Sequence, residues 1–365
     1  MKRRTILLTL CIFFACFTSQ TSQACTTFSL DHNNQPIVGK NYDWHLERGL
    51  VIINKRGVSK TALEDRKKDP GPFARWISRY GSLTFNQYGR ELPMGGINEA
   101  GLVVELMSLG ATKYPAPDSR PALGCLQWIQ YQLDSFSKVE QVIASDSHIR
   151  IHPDEGSGIH FLIADKEGNC AVIEFLNGER VYYTHETLPI KALANSTYAK
   201  SMAYLKRHKG FGGNQDMLFG SQSLDRFARA AKMLKMCDTK TQTIPIHYAF
   251  GILADVANPT ISWGTKWSIV YDIQHLKVYF RTFTNKQIRF IDLHAFDLSC
   301  QAPVKVLDMN LDASGDMTDD FRDYTPQLNL DLIRHSFKET SFLRNVPDSF
   351  IEELAKYPEH APCKK

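Results

Sequence analysis

The stretch that decides the reading is Ser22-Gln23-Ala24-Cys25-Thr26-Thr27-Phe28-Ser29-Leu30, followed by Asp31-His32-Asn33-Asn34-Gln35-Pro36 and then Ile37-Val38-Gly39-Lys40-Asn41-Tyr42-Asp43-Trp44. Two runs of β-branched, aromatic and aliphatic residues flank a cluster of Asp, Asn and Pro, the pattern of a strand, a turn and a returning strand. Such a hairpin brings Asp43 back towards Cys25. Upstream, Lys2, Arg3 and Arg4 precede an apolar run from Ile6 to Phe17, and Ser22-Gln23-Ala24 is a small-x-small cleavage site. Residues 1–24 therefore read as a secretory signal peptide, and the mature chain is expected to begin at Cys25.

The apolar run is shorter than the roughly 20 residues a spanning helix needs, and no second run of that length follows, so no membrane insertion is expected after cleavage. The expected destination is the periplasm or the exterior. The 365 residues are 43% hydrophobic and 22% charged, a composition that excludes a disordered, collagenous or coiled-coil chain. Lys and Arg number 43 against 39 Asp and Glu, a formal charge of +4 that falls to +1 without Lys2, Arg3 and Arg4. With no long basic run, nucleic acid is not an expected partner.

A mature chain beginning at Cys25 carries a thiol and a free α-amine on one residue. A thiol with a pKa near 8.5 is a weak nucleophile until deprotonated, and an α-amine with a pKa near 8 can accept that proton at neutral pH. One residue then supplies both nucleophile and base. Position alone leaves other readings open: an accidental cysteine, a disulfide half, or a lipid-anchored first residue, although Ser22-Gln23-Ala24 lacks the aliphatic residue usual before a lipidated cysteine.

From Cys25 and Thr26 through Gly39-Lys40-Asn41-Tyr42-Asp43, the sequence resembles the choloylglycine hydrolase family of N-terminal-nucleophile hydrolases, which includes bile salt hydrolases, penicillin V acylases and some acyl-homoserine lactone acylases. Gly96-Ile97-Asn98-Glu99-Ala100-Gly101-Leu102, Asn195-Ser196, Asp225-Arg226-Phe227 and Thr265 to Asp272 continue the match in order to about residue 300. The resemblance implies an α+β fold, a four-layer αββα sandwich of two stacked antiparallel sheets, with Cys25 at a sheet edge and the mouth of a pocket. It implies an amidase that cleaves the C–N bond of a small-molecule acyl amide through a thioester, with no metal or organic cofactor, as a homo-oligomer, either dimer or tetramer.

In that reading Cys25 attacks the carbonyl, its α-amine shuttles the proton, Asp43 holds the amine, Asn195 donates to the oxyanion, and Arg226 stabilises negative charge at the nucleophile. Two positions depart from the family pattern. Lys40 replaces an arginine, keeping the charge but losing the planar fork, and a lysine near a desolvated thiol could itself act as a base. Ser108 stands where an asparagine or tyrosine is expected to give a backbone N–H to the oxyanion. A binding protein that has kept the pocket and lost catalysis is the alternative, opposed by the joint presence of Cys25, Asp43, Asn195 and Arg226.

Competing motifs are weaker. Ser135-Phe136-Ser137-Lys138 has the Ser-x-x-Lys spacing of a serine enzyme but no Lys-Thr-Gly follows, and Ser137 with Glu140 reads instead as a capping box opening a helix over 139–144. Pro153 follows His148 and His152 too closely for a helical zinc pair. Asp308, Asn310, Asp312, Asp316 and Asp319 approach a calcium loop, but Ala313 fills the turn-glycine place.

Strands are expected over 159–164, 170–175, 179–183, 267–271 and 276–282, and helices over 126–133 and 225–236. Aromatics for the pocket are sought in 73–88 and 211–219. Residues 25–300 are expected to form the catalytic domain and 301–365 an extension packed on it, an oligomer arm or a lid, turn-rich and acidic with a last helix over 349–356. Cys125, Cys170, Cys237, Cys300 and Cys363 are odd in number, so the pairing is open; a Cys300–Cys363 bridge pinning the extension is the expected one.

Overall fold

The computed structural model describes residues 25–33, 35–64, 69–152, 158–237 and 245–364; the leader read in residues 1–24 lies outside them. The first hairpin forms between Thr26–His32 and Gln35–Asp43, antiparallel, with Thr26 opposite Asn41 and His32 opposite Gln35. Its strands reach further into the Asp/Asn run than the sequence suggests, and Asn33, at positive φ, begins the reversal. Phe28 faces Gly39 across the ladder, and its ring occupies the space where a Cβ at 39 would stand, only 2.3 Å away. Glycine at 39 is thus a packing requirement.

The hairpin belongs to a seven-stranded sheet in the order Ala192–Leu193, Thr26–His32, Gln35–Asp43, Thr265–Asp272, Lys277–Thr282, Arg289–Asp292 and Gly315–Asp316. It is antiparallel except at the short last pairing. A second, nine-stranded antiparallel sheet runs Glu179–Thr184, Cys170–Leu176, Ile159–Ala164, Val103–Ser108, Pro93–Asn98, Ser82–Asn86, Leu50–Asn54, Lys305–Asp308 and Arg322–Asp323. The Gly96 to Leu102 segment makes the tight link between two of these strands, with Gly101 at φ +88° and the Asn98 side chain accepting from the backbone N–H of Ala100 and Leu102.

Among the described residues the helices are α1 (Cys125–Ser135), α2 (Val139–Ala144), α3 (Tyr198–Leu205), α4 (Ser223–Met236), α5 (Pro245–Asp255), α6 (Pro326–Glu339) and α7 (Asp348–Lys356). The two sheets face each other through the Thr26–His32 strand and the strands over 103–108 and 159–164; α1 covers the outside of the larger sheet, and α4 and α5 that of the smaller. This is the α+β sandwich of two stacked sheets between helical layers. The near-continuous burial of Leu50–Asn54, Ile159–Ala164 and Thr265–Asp272 fits strands covered on both faces.

Details differ from the sequence reading. The cap of α2 sits one residue later: Gln141 Oε1 accepts from the backbone N–H of Ser137 and Lys138, so Gln141 rather than Glu140 closes the box. A long helix, α6, occupies the stretch read as turn-rich. Thr325 caps it by accepting from Leu328 N–H, Pro326 is at its first turn, and Leu332, Ile333 and Phe337 form its buried stripe. Cys300 and Cys363 form a disulfide, and the chain end beside it hydrogen-bonds the 57–59 segment. His148 and His152 flank a two-residue strand, not a helix, and no group of three His, Cys, Asp or Glu suited to a metal occurs among the described residues.

Candidate active site

Cys25 precedes the first strand and is 3% exposed, with its thiol against the end of the partner strand. The Asp43 N–H donates to Cys25 Sγ at 3.4 Å, and Sγ lies 3.7 Å from the Asp43 carbonyl oxygen. The hairpin thus brings the two residues together as its register requires. Burial pushes the Cys25 thiol up; Lys40 opposes this most strongly and Arg226 more weakly, while the Asp43 carboxylate adds to it.

Asp43 is the electrostatic oddity of the site. It is 1% exposed, in no ion pair among the described residues, and the Thr265 side chain beside it falls short of full hydrogen-bond geometry. Burial pushes its carboxyl up to about 7, against the pull of Arg226, Thr265, Lys40 and Lys266. A buried, unpaired carboxylate is costly, which calls for a donor or cation at this place.

Arg226 enters from the first turn of α4 and is fully buried, not a solvated helix cation. Its guanidinium donates from Nη1 to the Cys25 carbonyl at 2.6 Å and to the Thr26 hydroxyl, from Nη2 to Asn195 Oδ1 at 2.9 Å, and from Nε to the Ser221 carbonyl at 3.0 Å. Asn195 in turn donates from Nδ2 to the Ser108 carbonyl at 2.9 Å. The Cys25, Arg226, Asn195 and Ser108 positions are therefore linked in one chain of hydrogen bonds, although they come from four separate segments of the chain. Beneath Asn195, His160 links Glu174 Oε1 at 3.0 Å to the Ala194 carbonyl at 2.7 Å, and Glu174 accepts from Tyr198 N–H. Nothing in the sequence around His160 or Glu174 marked this support.

Lys40 points between the sheets. Its Nζ lies 3.4 Å from Glu105 Oε2 and 3.4 Å from Met107 Sδ, and it donates to the Leu106 carbonyl. Tyr271 OH donates to the other oxygen of Glu105 at 2.5 Å. All three residues are buried, and burial pushes the Glu105 carboxyl up while Lys40 pulls it down. Glu105 carries no mark in the sequence, because a strand's own residues give no sign that a carboxylate faces a lysine on the opposite sheet.

A cavity of about 380 Å³ opens beside the thiol, lined by Cys25, Asp43, Trp44, Tyr88 and Ser108 among others. Of the aromatics sought in 73–88 and 211–219, only Tyr88 lines it; Tyr42, Trp44, Phe337 and Phe342 supply the rest. Phe211 belongs to the fringe of the main core, and Phe219 is exposed.

A buried thiol at the start of a strand, set between two stacked antiparallel sheets under helical layers, defines an N-terminal-nucleophile hydrolase fold. Residues 25–306 match the family of linear amide C–N hydrolases, choloylglycine hydrolase family, and the chain belongs to it. It is a hydrolase of linear amide C–N bonds. It is 26% identical to penicillin V acylase of Pectobacterium atrosepticum, over 75% of this chain and 82% of that one. Penicillin V acylase from Agrobacterium tumefaciens superposes with a TM-score of 0.72 at 24% identity, covering 83% of this chain and 98% of its own. A variant of conjugated bile acid hydrolase from Clostridium perfringens gives 0.64 at 18% identity, covering 78% and 97%. These two likenesses bear on the fold alone.

Proposed function

We propose that the protein is exported, that cleavage after Ala24 frees the Cys25 α-amine, and that the mature enzyme hydrolyses an apolar acyl amide of the penicillin V class through a thioester on Cys25. The observation that supports it best is the buried Asp43 carboxylate beside the thiol, which makes no ion pair among the described residues: a freed ammonium at Cys25 would supply one. The penicillin V class is supported by the 26% identity to penicillin V acylase and by the largely apolar cavity beside Cys25.

The proton passes from the Cys25 thiol to its own α-amine, and the thiolate adds to the amide carbonyl. Asn195 uses one N–H on the Ser108 carbonyl and has a second for the oxyanion. The Ser108 backbone, at the end of its strand and on the cavity wall, lies on the same side. The C–N bond breaks as the ammonium returns the proton to the departing amine, leaving the acyl group on sulfur. Water then cleaves the thioester to a carboxylic acid and restores the thiol. Asp43 holds the amine, while Arg226 and Lys40 act as fixed positive charges that favour the thiolate.

The test is hydrolysis of penicillin V, a conjugated bile salt and an N-acyl-homoserine lactone by the exported protein and by Cys25→Ser. Turnover of penicillin V that the substitution abolishes without unfolding supports the proposal; full turnover by Cys25→Ser overturns it. Saturable binding of all three without product would favour the binding-protein alternative.

A further inference from the structure

The family match ends at residue 306, yet the cavity at Cys25 is closed on one side by residues well beyond it: Phe337 from α6, then Phe342 and Leu343 from the turn that follows. We infer that this segment, 337–343, is the wall that selects the acyl group, admitting an apolar acyl chain and fixing how much bulk the site accepts. The inference rests on the proposed reading of the cavity as the acyl site.

Three observations support it. First, the wall is anchored to the catalytic side of the molecule, not laid loosely upon it. Ser336 Oγ donates to the Gln87 carbonyl at 2.6 Å, and Gln87 Oε1 accepts from Tyr42 OH at 2.8 Å, so α6 and a cavity residue share one backbone segment. Asn329, a turn and more earlier on the same face, accepts from Arg90 N–H at 2.8 Å. Second, a polar relay fastens the end of α6 to the residue next to Asp43. Trp44 Nε1 donates to Tyr88 OH at 2.8 Å, Tyr88 OH lies 3.0 Å from Thr340 Oγ1, and Thr340 Oγ1 lies 3.3 Å from His45 Nε2. Thr340 is fully buried.

Third, the segment offers apolar surface to the cavity where a surface turn would ordinarily be polar. Phe342 is 60% exposed while lining the cavity, and Tyr88 meets Phe337 edge to face at 6.3 Å. An exposed phenylalanine next to a reactive thiol gains from a ligand that covers it. An apolar acyl group held between Trp44 and Phe342 would do so.

The experiment compares the rate at which Cys25 is alkylated by phenoxymethyl chloromethyl ketone, an aromatic acyl mimic, with its rate towards iodoacetamide. In each reaction the thiolate forms a C–S bond as halide leaves, and the thiol proton goes to solvent. The ratio of the two rates cancels any change in the thiol itself. Phe342→Ala with Leu343→Ala should lower the ratio about tenfold, and Phe342→Glu, which replaces the ring with a charged carboxylate, should lower it too. A ratio within twofold of the wild type in either protein, with a native melting transition, overturns the inference. Penicillin V turnover by the wild type is measured alongside: its absence overturns the proposed substrate class, while the labelling ratio still judges the wall.

Discussion

Arg226 Nη1 stands 2.6 Å from the carbonyl oxygen of Cys25, a contact closed across 201 residues of chain. The same guanidinium holds Asn195, so one side chain sets the spacing between the nucleophile and the proposed oxyanion donor. Both depend on its fork geometry, which a lysine lacks. Arg226→Lys is expected to fold with a modest loss of melting temperature and to lose about a hundredfold in kcat/KM. Arg226→Ala strands several buried acceptors and should cost about 3 kcal/mol or more in stability. Urea unfolding and steady-state kinetics on the two variants check this.

Asp43 predicts a pH signature. Its carboxyl lies at about 7 in the fold, against about 3.9 in an unfolded chain. The native state therefore holds the proton more tightly, and the residue costs stability progressively as pH rises from about 4 to about 7. In a chain that still carries residue 24, Asp43→Asn should be more stable than its parent at pH 8, by an amount on the order of 2–4 kcal/mol, and no more stable at pH 4. Freeing the Cys25 amine gives Asp43 a partner and should shrink the difference. Melting curves across pH for both forms measure it.

The buried Lys40–Glu105 pair makes a third expectation. Lys40→Met leaves the Glu105 carboxylate buried with Tyr271 as its one remaining side-chain donor among the described residues, a loss of about 3–5 kcal/mol. Adding Glu105→Gln should recover most of it, giving a coupling of at least about 1 kcal/mol in a double-mutant cycle. Because Lys40 is the strongest of the influences that lower the Cys25 thiol, the double variant should still alkylate more slowly at pH 7 than the wild type.

The Cys300–Cys363 bridge closes a sequence separation of 63 residues that contains α6 and α7. Constraint of the unfolded chain on that scale contributes roughly 4 kcal/mol. Reduction should lower the melting temperature by several degrees, and Cys300→Ser with Cys363→Ser should reproduce the loss without added reductant.

Much of this was legible in local pattern. The 25–43 hairpin, the strand over 159–164 and helix α4 all follow from alternation, turn residues and helical periodicity, and the order of short motifs foretold the family. What escaped notice lies in pairings between distant segments. The strand Leu50–Asn54 is buried on both faces, so its unbroken apolar run has no period to read. Glu105 matters only because the other sheet places Lys40 opposite it. The α6 signal was present in Thr325-Pro326 and in the spacing of Leu332, Ile333 and Phe337, but the acidic turns before it masked the start. That α6 would close the cavity could not be inferred from its own residues, since the partners of its last turn and cap, Gln87 and Tyr88, lie 249 and 252 residues earlier.

The central claim is that Cys25 is the first residue of the mature enzyme and its nucleophile. The intact mass of protein exported from a bacterial host, before and after reaction with an acyl-mimicking alkylator, tests it most directly. The account predicts a mass that begins at Cys25 and gains a single adduct mapping to that residue. A chain that begins elsewhere, a lipid on Cys25, or an adduct on another residue would contradict it.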